Sequence, residues 1–301
     1  MDYSIFKEVI KEGILERFDD INIEIKEITK NNGIILDGMI ISKKDSKISP
    51  TFYLNDFYES FNNGTDLDTI IDTICNAYAE HEKDFEFDVC SFENFDDVKS
   101  RIMYRLINTR LNSGILDTIP HREYLDLSIV YYVLVKDINF EKGSILINNS
   151  HMEMWGTDEE TLFELAGINT QQNFKVDLMS MYDMLTELMI KRGEDEDAVM
   201  EMLKPMDDKM FVLTNESRHY GAACLIYKDV ISDFSKKNDC DVIVIPSSIH
   251  ELILIGRNEE ESLDAFNEMV TEVNATQLLP QEILSDHVYI YDRKEGCIKM
   301  S

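Results

Sequence analysis

No apolar stretch in this chain outgrows a β-strand. The longest, Ser128–Val135 and Val242–Ile249, are strand-sized and fall far short of the ~18 to 20 residues that a bilayer-spanning helix needs. Apolar residues must therefore be buried piecemeal, in short strands and amphipathic helices packed on one another. A hydrophobic fraction of 44% with 10% aromatic residues supplies such a core, even though 29 Lys and Arg stand against 59 Asp and Glu, a net charge of −30. Disordered chains of high charge lack that apolar content. With 12 Gly and 5 Pro, collagen-like and low-complexity architectures are excluded. At roughly 100 to 200 residues per domain, the 301 residues make one large or two to three small domains.

The charge narrows the choice of partners. Affinity for nucleic acid comes largely from Lys and Arg displacing counterions, so an acidic chain predicts no direct DNA or RNA binding and no attachment to anionic membranes. Met1–Gly13 mixes three acids with apolar positions and lacks the basic and apolar regions of a signal peptide, which predicts a cytoplasmic location. The five cysteines, Cys75, Cys90, Cys224, Cys240 and Cys297, are scattered and form no CxxC pair. They read as unpaired thiols, with no bound zinc or other cofactor expected.

Periodicity predicts the elements. Ile5, Phe6, Val9, Ile10, Ile14 and Leu15 recur at helical spacing. Ile21–Ile28 alternates until a bulge, turns at Asn31–Gly33 into Ile34–Ile41, and with Pro50–Leu54 forms an antiparallel meander. A helix capped by Thr65 and Asp68 runs to about His81, and a second spans Asn94–Leu111 with Lys99, Arg101, Arg105 and Arg110 outward. Strands follow at Ser128–Lys136 and Ser144–Asn148, joined by an acidic loop. A helix boxed by Thr157 and Glu160 stops near Gly167, and two Met-rich helices fill Val176–Leu203, divided at Gly193 and ended by Pro205. The C-terminal part reads as strands at Met210–Thr214, Gly221–Tyr227, Asp241–Pro246 and Ile249–Gly256. It adds helices at Lys228–Asn238 and, capped by Asn258, Glu259–Val273, and closes with a hairpin of His287–Asp292 and Gly296–Met300. No repeat of 20 to 50 residues occurs. The expected class is α+β, mainly antiparallel short-stranded sheets with packed helices, in subdomains 1–115, 116–205 and 206–301.

Five stretches carry a resemblance: Ile119–Leu127 (IPHREYLDL), Asn149–Gly156 (NSHMEMWG), Tyr220–Ile226 (YGAACLI), Pro246–Leu254 (PSSIHELIL) and Val273–Tyr289 (VNATQLLPQEILSDHVY). In this order they resemble the family called domain of unknown function 5688, over nearly the whole chain. The resemblance implies a protein of anaerobic Firmicutes, often in mobile-element contexts, and brings no activity with it.

Histidine is the natural residue for proton transfer, and His121, His151, His219, His250 and His287 lie in or beside these stretches. No HExxH, P-loop, GxGxxG, EF-hand or GxSxG pattern is present. A composite site would draw its catalytic groups from His121, His250, Glu251, Asp286 and His287, with His250 and His287 meeting if their strands pair. Binding residues would be Arg101, Arg105 and Arg122, whose guanidinium forks suit anions, with Ser247 and Ser248 in the turn before His250. The first reading is a non-enzymatic protein-interaction or regulatory module whose partner is a protein. The alternative is a hydrolase using the composite site. A third is an anti-defence inhibitor from a mobile element whose acids mimic a nucleic-acid backbone, which requires those acids on one face.

Overall fold

The computed structural model describes residues 1–43, 49–84, 89–135, 143–204, 209–257 and 262–301, the side chains of 81–90 excepted. Its contacts divide the chain into two units, Met1–Asp97 with Leu134–Ser144, and Val98–Val133 with Ile145–Ser301.

In the first unit, helix α1 (Tyr3–Leu15) starts where the Asp2 carboxylate accepts from the Ser4 amide, and it buries Phe6, Ile10 and Ile14. The predicted meander forms from β1 (Ile21–Thr29), β2 (Ile35–Lys43) and β3 (Thr51–Tyr53). Its first pair runs without interruption from Ile21↔Lys43 to Thr29↔Ile35, so the expected bulge is absent. Ile28 instead sits on the other face from Ile21, Ile23 and Ile25, in room left by Gly38, where a Cβ would lie 2.3 Å from its Cδ1. The turn at Asn31–Gly33 places Asn32 at φ 59°. Helix α2 (Leu54–Asn62) follows β3 directly, and α3 (Leu67–Asp84) is capped by Asp66, which accepts from the amide and hydroxyl of Thr69, not by Thr65. Short helices α4 (Val89–Glu93) and α5 (Phe95–Val98) come next. Phe6, Ile10, Ile14, Met39, Ile41, Leu54 and Ile74 form the core of this unit.

The second unit departs from the sequence pattern at its start. The helix expected over 94–111 ends at Val98, and after one 3₁₀ turn (Lys99–Arg101) the chain becomes strand β4 (Ile102–Asn108). Every residue of β4 is buried except the half-buried Arg105. A strand covered on both faces has no alternation, and its apolar run mimics helical spacing. Helix α6 (Ser113–Leu116), β5 (His121–Tyr124), β6 (Leu127–Val135) and β7 (Gly143–Leu146) follow; β6 lies between β4 and β5 and also pairs β7. The acidic loop expected between β6 and β7 lies largely outside the described residues.

Helix α7 (Asn149–Trp155) is capped by Asn148 and His151. Helix α8 (Glu159–Asn173) starts at Asp158, not Thr157, and continues through Gly167. Next come β8 (Val176–Ser180), α9 (Met181–Lys191) and α10 (Glu196–Leu203), whose cap is Asp195; the expected stop at Pro205 lies outside the described residues. Strand β9 (Met210–Asn215) leads into a 3₁₀ segment, Gly221–Ile226, where a strand is expected. The chain then adds α11 (Val230–Asn238), β10 (Val242–Pro246), β11 (Leu252–Gly256), α12 (Leu263–Thr276), β12 (Tyr289–Asp292) and β13 (Cys297–Met300). Ser262 caps α12, the expected cap Asn258 lying outside the described residues. The large sheet has the order β13-β12-β10-β11-β9-β8, every neighbouring pair antiparallel. The class is α+β. One feature of this sheet positions the site: β10 and β11 form the predicted hairpin, closed by Pro246↔Leu252, with residues 247–251 as its loop at the sheet's end.

Candidate functional site

The hairpin loop is built by its own polar groups. The Ser248 hydroxyl accepts from the His250 amide (3.0 Å), the Ser248 amide donates to the Glu251 carbonyl (3.1 Å), and Ser247 donates to the Glu251 carboxylate (3.3 Å). Beside it lies the 3₁₀ segment, held so close that a Cβ on Gly221 would stand 2.1 Å from Thr214 Oγ1 and 2.4 Å from the His250 carbonyl oxygen. Glycine is what lets these two backbones meet. Thr214 donates its hydroxyl to that carbonyl at 2.8 Å. Just upstream, Arg218 (φ 53°) and Tyr220 (φ 51°) take left-handed conformations on either side of His219. For residues with a Cβ this costs about 1 to 2 kcal/mol each, and such strain gathers at functional sites.

The rings that converge are those of His219, Tyr220 and His250. His250 lies 5.3 Å from His219 and stacks on Tyr220 at 5.9 Å, and His219 lies 3.9 Å from Tyr220. The Tyr220 amide donates to His250 Nδ1 at 3.2 Å. That bond assigns the ring proton to Nε2, which faces the Glu282 carboxylate at 3.9 Å. Burial holds the His250 pKa below its usual value, against the opposing pull of Glu282 and Glu251, so the imidazole is neutral at pH 7.

Arg105 completes the rim. It donates to the Tyr220 hydroxyl at 2.6 Å, and its guanidinium carbon stands 4.6 Å from the Tyr220 ring centroid and 5.9 Å from that of Tyr132. Its Nε is buried without a hydrogen-bond partner, and no carboxylate lies within ion-pair reach of it among the described residues.

The other predicted residues are placed elsewhere. Arg122 is committed to Glu159, through Nε at 3.1 Å and Nη2 at 2.8 Å, and to Glu160 at 2.6 Å, and it stacks on Phe163 at 3.9 Å. His121 Nδ1 meets the Ile119 carbonyl. Asp286 accepts from Asn274 at 2.9 Å and lies 3.7 Å from Arg110. His287 is exposed, and although β12 does pair with β10, the ring neighbours of His250 are Tyr220 and His219. Arg101 sits in the 3₁₀ turn before β4. A separate polar cluster joins Asp126 to Ser285 and Tyr289, both hydroxyls donating at 2.6 Å. A cleft of about 500 Å³ between β5, α11 and β13 is lined by Tyr124, Tyr227, Tyr291 and Ile298 with Arg122, already paired, at its edge. The sequence reading missed Tyr220, Tyr132 and Glu282 as members of the rim. A signal existed: Tyr220, His250 and Glu282 come from three of the five stretches that carry the resemblance. Among the described residues no three His, Cys, Asp or Glu side chains are arranged to hold a metal ion, and no helix is long and apolar enough to cross a membrane.

The model of one family, described as a family of unknown function (DUF5688), matches residues 3–293. The chain belongs to DUF5688. Comparison with curated proteins and with solved structures finds no match.

Proposed function

We propose that this chain is a non-enzymatic recognition module of the cytoplasm that engages a partner through the rim formed by Arg105, His219, Tyr220 and His250. The observation that carries the reading is the state of His250. Its Nδ1 lone pair is used by the Tyr220 amide and its Nε2 carries the proton, so no free lone pair is left to act as a base. The nearby hydroxyls are engaged elsewhere, Ser247 with Glu251 and Ser248 with the His250 amide. The nucleophile–base contact that a hydrolase needs is absent from this loop. The groups of the composite hydrolase site do not gather either: Asp286 and His121 have their own partners. What remains is a fixed, partly exposed platform of rings beside a cation, which suits binding.

The test is the ¹⁵N spectrum of His250 together with an ester-hydrolysis assay on wild type and His250→Ala. The Nε2–H tautomer at neutral pH and hydrolysis no different between the two proteins are expected. An Nδ1–H tautomer, or p-nitrophenyl acetate hydrolysis that disappears in His250→Ala, overturns the reading in favour of an enzyme.

A further inference from the structure

The rim contains a cation that no described carboxylate pairs with. Arg105 stands on a strand buried on both sides, opposite Val130 in the register with β6. Acids outnumber bases two to one in this chain, and other cations show what such side chains ordinarily find: Lys7 takes Asp37, Arg122 takes Glu159 and Glu160, Arg218 takes Glu187. Arg105 has a tyrosine hydroxyl and two ring faces instead. Because Tyr220 accepts from Arg105 through its oxygen, its own hydroxyl proton is left to donate outward, and it makes no such bond to a described residue. The Tyr132 hydroxyl likewise has no partner among the described residues. Hydrogen-bond donors thus gather around one positive charge with no carboxylate supplied by the described residues.

We infer that Arg105 and Tyr220 form a receptor for a single carboxylate, carried by a ligand whose body lies on the His219, Tyr220 and His250 rings. The inference rests on the binding reading above and names its ligand. Charge count selects the carboxylate over phosphate. Arg105 is the rim's one permanent positive charge, His250 being neutral, and Glu282 lies 3.9 Å from His250; a dianion would meet that carboxylate and the field of a −30 chain. A planar monoanion accepts from the guanidinium fork and the phenol together. The carboxylate comes either from a small aromatic acid or from the C-terminus of a partner polypeptide, and these share one recognition chemistry.

The experiment follows the ring-proton signals of His219 and His250 in the full-length protein on titration with benzoate, its neutral isostere benzamide, inorganic phosphate, and a short peptide ending in Phe with a free or an amidated C-terminus. Benzoate should shift both histidines, with benzamide and the amidated peptide weaker by roughly tenfold or more, the value of a charge-assisted hydrogen bond. Arg105→Met, which keeps the aliphatic stem, should abolish the effect. Tyr220→Phe, which removes one oxygen, should weaken it several-fold with unchanged Trp155 fluorescence, so that a folding defect in the first variant does not decide the matter. A free-C-terminus peptide binding much more tightly than benzoate supports the polypeptide source, and equal binding the small acid. Benzamide matching benzoate, phosphate exceeding it, or benzoate shifts that survive in Arg105→Met overturn the inference. Absence of any benzoate effect overturns it too while leaving the recognition reading to its own test, the His250 tautomer.

Discussion

Gly221→Ala tests how the rim is assembled. The new methyl carbon would stand 2.1 Å from Thr214 Oγ1, 2.4 Å from the His250 carbonyl oxygen and 2.9 Å from the Asn215 amide nitrogen. Two of these are backbone atoms, so rotating one side chain brings no relief, and the 3₁₀ segment must move away from the hairpin loop. Overpacking of this kind costs about 1 to 3 kcal/mol. The move also breaks the bond from Thr214 to the His250 carbonyl (2.8 Å) and that from the Ala222 amide to the Ile249 carbonyl (3.3 Å), each worth about 1 kcal/mol. Against this, alanine reduces unfolded-state entropy and returns roughly 0.4 to 1 kcal/mol. Net destabilisation of about 2 to 4.5 kcal/mol is expected. The single tryptophan, Trp155, lies in the second unit, so urea unfolding followed by its fluorescence reads that unit alone. The His250 tautomer should become mixed as the Tyr220 amide withdraws from Nδ1. A variant within 0.5 kcal/mol of wild type with an unaltered His250 spectrum would refute the view that backbone contact at Gly221 positions His250.

Other consequences follow from the same structure. His250→Ala should cost about 1 kcal/mol, since it removes one acceptor from a half-exposed position, and a loss of several kcal/mol would make His250 structural. Asp126→Ala should cost about 2 to 4 kcal/mol because it strands the Tyr289 hydroxyl and leaves that of Ser285 only the His287 backbone, while Asp126→Asn, which keeps an acceptor, should cost less; equal losses in chemical denaturation would contradict this. Burial lowers the pKa of His151 and of His250. The unfolded chain therefore takes up protons near pH 6.5 that the native state refuses. Their contribution to stability is complete above that pH and is lost as pH falls from it through the lower folded-state values; denaturation curves at pH 7.5 and 5.5 should show the loss, reduced in the His250→Ala variant. Native thiol titration should modify exposed Cys297 well before Cys224, whose pKa burial pushes up to about 12.

Local pattern reveals the elements whose apolar residues recur in a period or flank a turn. Helix α1 repeats apolar positions at helical spacing, the β1–β3 meander alternates them with polar ones, and the β10–β11 hairpin shows paired apolar runs around a turn, so each is legible. Strand β4 is not, because burial on both sides erases the period of two and leaves Ile102 and Leu106 at a helix-like spacing. The segment Gly221–Ile226 is apolar enough to announce that it is buried, but its 3₁₀ form comes from the packing of Gly221 against Thr214 and the hairpin loop, a contact between residues remote in sequence. The same division holds at the site. His250 and the two serines beside it are local to one turn and could be named. Tyr220 reaches His250 across 30 positions and Arg105 reaches Tyr220 across 115, so their roles depend on strand order. The expected meeting of His250 with His287 assumed that pairing of strands carries over to the turn. Strands β10 and β12 do pair, while the loop beyond β10 turns His250 toward Tyr220 and Glu282.

The strain beside the rim has an identifiable support. Two left-handed residues, Arg218 and Tyr220, together cost about 2 to 4 kcal/mol. The buried Asn215 side chain offsets this: its oxygen accepts from the Ser217 amide (3.0 Å) and hydroxyl (2.7 Å) and from the His219 amide (3.4 Å), and its nitrogen donates to the His219 carbonyl (2.9 Å). At about 1 kcal/mol for each bond, the two quantities are of the same size, and the Tyr220 amide adds its bond to His250. The loop is thus held by contacts to its backbone, which fix the conformation that carries exposed His219 and half-buried Tyr220. A ligand that stacks on them would have little ordering entropy to supply. That would be the physical advantage of keeping strained residues at the proposed recognition site, and it would tie that role to an asparagine that no ligand needs to touch.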